Sequence, residues 1–195
     1  MRELPRLNYN LIQSDSFWNR FRKHVSIFEK IQKGDQVLVA VSGGLDSMAL
    51  LCMLIELDHF RLSIGHVNHH LRMDSNSDKD FVNGVAEDLD IPFFSRNLNP
   101  DNIKKGESVE EWARNHRYQK LREIAYENDL KWILTAHHAN DQVETVLMNL
   151  ARQSGISGLR GIAKSNGNIV RPLLPFMRRD LKEFVHRHKI PFRED

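Results

Sequence analysis

Cysteine is nearly missing from this sequence: Cys52 is the one thiol in 195 residues. A single thiol excludes an internal disulfide and a thiolate metal cluster within these residues. Its place in the apolar run LLCMLIEL marks it as a small buried hydrophobe. No apolar run approaches the roughly 20 residues that a membrane-spanning helix requires. The opening MRELPRLNYNLIQSD has neither an apolar core nor a small-residue cleavage site, so it does not read as a secretory signal. A cytoplasmic protein with no membrane partner is the expectation. Neither sign of charge dominates: 28 Lys and Arg against 26 Asp and Glu leave a net +2, too little to name a nucleic-acid partner from bulk charge. The basic clusters FRKH (21–24), RNHR (114–117), RR (178–179) and HRHK (186–189) read individually as solvated helix faces. Repeats and low-complexity linkers are also missing. The length suits one domain with a real core.

What is present is an alternation of two periods. Phe17, Phe21, Val25 and Phe28 recur at helical spacing over 17–31, with Asp15 or Ser16 available as a cap. QVLVAV (36–41) is a short, almost continuous apolar run of the kind found in strands buried on both faces. The alternation continues with helix SMALLCMLIEL, strand RLSIGHV, helix SDKDFVNGVAEDL with Phe81, Val85 and Leu89 in a stripe, and strand IPFFS. It ends with helix VEEWARNHRYQKLREIAYEN, strand KWILTA, helix DQVETVLMNLAR, strand NIVRPLL and helix RRDLKEFVHRH. The long helix should bury Val109, Trp112, Ala113, Leu121, Ile124 and Ala125; the last should bury Leu181, Phe184 and Val185. Alternation of this kind predicts an α/β fold: a three-layer, doubly wound, mainly parallel five-stranded sheet with helices on both faces. Looser stretches fall at 73–78, 97–107 and 153–167. In such sheets ligands bind beyond the carboxyl ends of the strands. Residues following VLVAV, SIGHV and WILTA are therefore the candidates.

VLVAV is followed by Ser42-Gly43-Gly44-Leu45-Asp46-Ser47 and then a helix. Glycines let the backbone approach an anion closely and adopt positive φ. The helix start adds unpaired N–H groups and a positive dipole end. Ser42 and Ser47 add donors to what reads as a phosphate cradle. It is neither a Walker loop, which needs a Lys after its last glycine, nor the GxGxxG dinucleotide pattern. Asp46 inside such a cradle would repel phosphate unless a cation intervened, which points to Mg²⁺.

SGGLDS resembles the PP-loop of the N-type ATP pyrophosphatases, an adenine nucleotide alpha hydrolase-like superfamily. The resemblance implies cleavage of ATP between its α- and β-phosphates, adenylation of a carbonyl-type oxygen and release of pyrophosphate. Further segments resemble one branch, the tRNA(Ile)-lysidine synthetases. TAHHANDQVETVLMNLARQSGISGLRGI (135–162) carries that family's H-x₃-D-x₂-E-T segment and SG-x₂-GL-x-G loop. VEEWARNHRY resembles its E-x₂-AR-x₂-RY helix, GHVNHHLR its VDHxLR strand end, and VRPLLPFMRRDL its RPLL-x₃-R segment. The resemblance runs from about Phe21 to the end of the chain. It implies ligation of free L-lysine to C2 of the wobble cytidine of tRNA(Ile), whose anticodon is CAU, through an adenylated intermediate. ATP and Mg²⁺ would be the cofactors. A related cytidine-thiolating family relies on cysteine pairs, which one cysteine cannot supply. Asn68 and Asn140 stand where acidic residues are common, so neither is assigned to a metal. FRED (192–195) ends where the family's D-P-[ST]-N motif would begin. Residues 1–195 thus read as one catalytic domain, with the family's C-terminal tRNA-recognition domains outside it.

Asp141 and Glu144 are three apart on one helix, so their carboxylates share a face. Spacing alone leaves a metal pair and ordinary helix-start acids equally open; the resemblance favours Mg²⁺ held with Asp46. His137 and His138 follow the same strand, where a histidine could bind phosphate, move a proton or cap the helix. The resemblance favours His137 as the active-site residue and leaves His138 unassigned. Arg114 and Arg117 are either snorkelling surface cations or phosphate ligands. Arg114 is the stronger candidate, and Arg72 a weaker one. The expected phosphate-binding residues are Ser42, Gly43, Gly44, Leu45, Asp46 and Ser47. Val41 and His66–Asn68 would line the adenosine. Three rivals remain: another PP-loop ATP pyrophosphatase, such as a tRNA thiolase or an amidotransferase-type synthetase; a non-catalytic nucleotide-binding module; and, last, a metal-dependent hydrolase using His66, His69 and His70 with His137, His138 and Asp141. The latter spacing matches no specific zinc signature.

Overall fold

The computed structural model describes residues 12–25, 31–69, 75–106, 108–151 and 160–194. Its sheet is built outward from β1 (Gln36–Ala40), which pairs in parallel with β2 (Arg61–Asn68) on one side and β4 (Trp132–Leu134) on the other. Val37, Leu38 and Val39 are all 0% exposed. Val37 and Val39 join a core under one face of the sheet and Leu38 joins a second core under the other, which is why this run shows no polar alternation. Fully burying a side chain such as Leu38 is worth about 1.5–3 kcal/mol.

Helices supply both outer layers. On one side lie α1 (Ser16–Val25), α2 (Leu45–Leu57), α3 (Ser75–Asp88) and α6 (Arg178–Arg187); α4 (Val109–Glu127) covers the other. Asp15 caps α1: its Oδ1 accepts from the N–H groups of Phe17 at 2.7 Å and Trp18 at 3.2 Å. Its Oδ2 accepts from Arg187 and from Nε2 of His188, tying α1 to the end of α6. Phe17, Trp18, Phe21 and Val25 are buried, while 26–30, including Phe28, lie outside the described residues. In α4, Trp112, Ala113, Leu121, Ile124 and Ala125 are buried as the stripe predicts. Val109 is not: it is the first helical residue, 45% exposed, ahead of the turns that meet the sheet.

β3 (Phe93–Asn97) flanks β2, and β6 (Ile169–Val170) flanks β4, both in parallel. The expectation of five strands needs one correction. Among the described residues the sheet has six, in the order β3-β2-β1-β4-β6-β5, because β5 (Ser165–Asn166) pairs antiparallel with β6. This two-residue edge is polar and exposed, so no hydrophobic pattern announces it. NIVRPLL supplies β6 from Ile169 and Val170 alone, since Pro172 cannot donate to a ladder. Helix α5 (Ala139–Ala151) forms where expected but buries none of its side chains, and Val143, Leu147 and Leu150 are exposed. No described helix is long and apolar enough to cross a membrane.

Cys52 sits in α2 within the first core. Burial, helped by the nearby Glu56 carboxylate, pushes its thiol up to about 12.

Candidate nucleotide site

The strand order reverses at β1: β2 lies to one side and β4, the next strand added on the other, leaves a crevice between the β1 and β4 carboxyl ends. Such a switch point is where an open parallel sheet binds its ligand. A cavity of about 1050 Å³ opens there. Its walls come from the segments after β1, β2 and β4.

The first wall is the glycine loop. Gly43 has φ +97°, and a Cβ there would lie 3.3 Å from Val82 Cγ2 and 3.4 Å from Phe81 Cδ1. Both the conformation and the close packing against α3 therefore require glycine. Ser47 Oγ donates to the Gly44 carbonyl at 2.9 Å and accepts from the Ser42 N–H at 3.2 Å. Ser42 Oγ lies 3.1 Å from Ser47 Oγ and accepts from the Gly44 N–H at 3.3 Å. The serines thus brace the loop, which hands directly into the first turn of α2, where helix N–H groups lack intrahelical partners. Such a loop and helix start have the donors and dipole that suit an anion.

Asp46 stands in that first turn. Its Oδ2 lies 3.6 Å from His138 Nε2 and 3.6 Å from Arg178 Nε. Its Oδ1 is buried without a hydrogen-bond partner. Across the crevice, His138 and Asp141 start α5 as a reciprocal pair. The His138 N–H donates to Asp141 Oδ2 at 2.8 Å, and the Asp141 N–H donates to His138 Nδ1 at 3.3 Å. This is capping-box geometry with a histidine at the cap. With Nδ1 accepting, the ring proton sits on Nε2, facing Asp46. Burial opposes charge on His138, but Asp46 and Asp141 outweigh it and hold its pKa above the ordinary value. The helix-capping role therefore falls to His138. Asn140, in the first turn of α5, accepts through Oδ1 from the Arg178 N–H at 3.0 Å and so anchors the start of α6.

His137 is different. Thr135 Oγ1 lies 2.9 Å from its Nδ1 and the Tyr118 hydroxyl 3.3 Å from its Nε2. Burial first, then Arg117, Arg171, Arg114 and His138, push its pKa down to about 3, so it is neutral. His66 donates through Nδ1 to the Val41 carbonyl at 2.8 Å, and burial holds its pKa below the ordinary value. His69 is pushed to about 4 by burial and then by Arg117 and His66. Three neutral histidines line the cavity, while the one raised histidine faces carboxylates.

The structure brings Ser42, Gly44, Leu45, Asp46, Ser47, His137 and Asp141 to the cavity, with Gly43 shaping the loop behind them. Glu144 and Arg114 are exposed and outside its lining. Arg117, one turn from Arg114, lines it instead, with its guanidinium 5.7 Å from the Tyr118 ring centre. Arg72, His70 and the SG-x₂-GL stretch within 152–159 lie outside the described residues. Sequence reasoning also missed Asp78 and Arg193. The Arg193 N–H donates to the Gly43 carbonyl at 2.9 Å, and its side chain meets Asp78 at 3.4 Å. Arg178 belongs to a basic cluster visible in the sequence, but only the fold aims it at Asp46.

Among the described residues no group of three or more His, Cys, Asp or Glu side chains is placed to hold a metal by itself. That removes the geometric support for a histidine-based hydrolase centre among them. The same finding covers Asp46, Asp141 and Glu144 taken as three ligands, whereas Mg²⁺ needs only one or two carboxylates beside substrate phosphates and water. The buried, unpartnered Oδ1 of Asp46 is a fitting oxygen ligand.

A mainly parallel, doubly wound sheet with a glycine-rich loop at its switch point is the architecture of α/β nucleotide-binding domains. The chain belongs to the PP-loop domain family, which matches residues 17–195 and uses ATP. Among curated proteins it is 40% identical over 182 residues to a tRNA(Ile)-lysidine synthase of Chlorobaculum tepidum, covering 90% of this chain and 55% of that protein. It is 39% identical over 178 residues to a tRNA(Ile)-lysidine synthase of Thermosipho africanus, covering 89% of this chain and 42% of that one. The chain thus spans about half the length of these relatives. Among solved structures, a U34-tRNA thiolase from Methanococcus maripaludis superposes with TM-score 0.77 at 17% identity, over 91% of this chain and 66% of that chain. An NMN synthetase from Francisella tularensis gives 0.60 at 12% identity, over 90% and 70%. At such identities these likenesses speak for the fold.

Proposed function

We propose that residues 1–195 form the ATP-activating catalytic domain of a tRNA(Ile)-lysidine synthase. The substrates are ATP, a tRNA(Ile) with a CAU anticodon and free L-lysine. The C2 oxygen of the wobble cytidine attacks the α-phosphorus of ATP, pyrophosphate leaves, and the lysine amine then displaces AMP to give lysidine. The observation that carries this reading is Asp46, at the glycine loop with a buried oxygen that no described residue satisfies. The similarity to curated synthases supports the choice of substrate.

The chain's own residues position and neutralise. The loop Ser42–Ser47 and the first turn of α2 bind the leaving pyrophosphate. Asp46 and Asp141 would hold Mg²⁺, and exposed Glu144 would serve the metal or its water shell. Mg²⁺, when bound, offsets phosphate charge. Arg117 meets phosphate from the α4 side, with Arg114 behind it on the same helix. His137 walls the cavity, and Val41 with His66–Asn68 lines the adenosine. The wobble base must leave its stack to reach such a crevice. Sulfur transfer through cysteine pairs is disfavoured, since Cys52 is alone and buried.

The test supplies labelled lysine, ATP, Mg²⁺ and a tRNA(Ile) transcript to this chain and to a version extended to the relatives' length. Incorporation of lysine with AMP and pyrophosphate release is expected. ATP binding without lysine transfer in either version would overturn the reading and leave a nucleotide-binding module or another PP-loop chemistry.

A further inference from the structure

Behind the His137 wall runs a line of polar groups that the proposed chemistry does not use. Arg171 follows β6 and is 6% exposed. Its NH1 donates to the Ala163 carbonyl at 2.8 Å and its NH2 to the Tyr118 hydroxyl at 3.3 Å. Its Nε is buried without a partner. It forms no ion pair among the described residues. A buried guanidinium without a carboxylate is costly, so its retained contacts should matter to something besides packing. Among the described residues, Tyr118, from α4, is the only side chain it contacts by hydrogen bond. Tyr118 in turn lies nearly parallel to His137, at 12° between ring planes, and touches Nε2. Only His137 of these three meets the cavity.

We propose that Arg171 is a positioning residue which, through Tyr118, fixes the tautomer and orientation of His137. The inference rests on the reading above for its kinetic consequence, but not for its structural content. A guanidinium can only donate, so the Tyr118 oxygen accepts from it. That contact makes the phenol a stronger donor, and the acceptor its own proton finds is His137 Nε2. His137 Nε2 is then a capped acceptor, and its proton sits on Nδ1, donated to Thr135 Oγ1 at 2.9 Å. Both ring nitrogens are spent on the protein. His137 therefore presents a fixed, neutral ring to the cavity and is no acid or base for the reaction. The raised histidine next to it, His138, belongs to the carboxylate pair.

The first readout is the tautomer itself. Side-chain NMR of histidine-labelled protein near neutral pH should find His137 protonated on Nδ1, and Tyr118→Phe should move it toward the Nε2–H form. An Nε2–H tautomer in the unmodified chain, or an unchanged tautomer in Tyr118→Phe, overturns the proposal. The second readout uses the extended protein. Tyr118→Phe and Arg171→Gln should each lower kcat for lysine transfer about tenfold with KM for ATP within about twofold, and Arg171→Lys should recover most of it. Activity falling only in step with thermal stability would also overturn it. Should lysine transfer fail altogether while the tautomer behaves as stated, the substrate reading falls and the positioning role stands.

Discussion

Asp46 Oδ2 and His138 Nε2 face each other at 3.6 Å across the switch-point crevice, one from the start of α2 and the other from the cap of α5. That is too long for a hydrogen bond, and it leaves the carboxylate able to turn toward a cation. Replacing Asp46 with Asn keeps the shape and removes the charge. Pyrophosphate release should fall about 100-fold or more, while Tm moves by less than about 3 °C, the equivalent of roughly 1 kcal/mol in a chain of this size. Turnover that survives intact would sink the metal assignment.

Gly43→Ala and Gly84→Ala form a matched pair. At Gly43 the positive φ and the 3.3 Å approach of Val82 act together. The loss should be about 1–3 kcal/mol, with weaker ATP binding because the cradle shifts. At Gly84, within α3, an added Cβ meets nothing within 4 Å and the backbone is ordinary. That variant should gain about 0.5–1 kcal/mol. Chemical denaturation of both, with an ATP titration of the first, checks the contrast; equal effects would contradict it.

Arg117 and Arg114 share α4 but not a destination. Arg117→Ala should cost about 10-fold or more in turnover. Arg114→Ala, at an exposed position outside the cavity, should stay within about threefold of the parent, since surface changes are usually within about 0.5 kcal/mol. A steady-state comparison that reverses this order would restore Arg114 as the phosphate ligand.

Asp15 sets an acid limit. Burial alone would raise its pKa, yet the donors His188, the Trp18 N–H, Arg187 and the Phe17 N–H together hold it below the ordinary 3.8. Its folded pKa being the lower one, the charged carboxylate adds stability above the unfolded pKa, and that contribution is lost as pH falls through the folded value. Asp15→Asn should lose about 2 kcal/mol near neutral pH and show a flatter decline below about pH 4. Urea unfolding across that range measures both; parallel pH curves for parent and variant would refute the assignment.

Much of this was legible along the chain because local pattern and final burial coincide. Val37, Leu38 and Val39 read as a doubly buried strand and are one. Leu181, Phe184 and Val185 read as an inward stripe and are buried. The glycine loop was readable because the positive φ at Gly43 demands glycine whatever packs against it; the approach of Phe81 and Val82 was not. Other features depend on neighbours far away in sequence. The sequence favoured Arg114 over Arg117, and only α4 laid on the sheet shows that Arg117 is the one lining the cavity. His137 and His138 look interchangeable as a dipeptide, yet one is spent on Thr135 and Tyr118 while the other caps a helix. Ser165 and Asn166 were missed for a different reason: their pairing with Ile169 and Val170 is local, but polar exposed side chains do not announce a strand.

The burial of Cys52 has a practical corollary. With its thiol held near 12 and enclosed in α2, the native protein offers alkylating and maleimide reagents almost no thiolate. Only molecules that have opened the α2 core can react. The rate of labelling at this one position is therefore a clock for opening of that core, read from a single natural atom without any engineered dye site. Because α2 begins at the phosphate cradle, the same clock should slow when a nucleotide is held there.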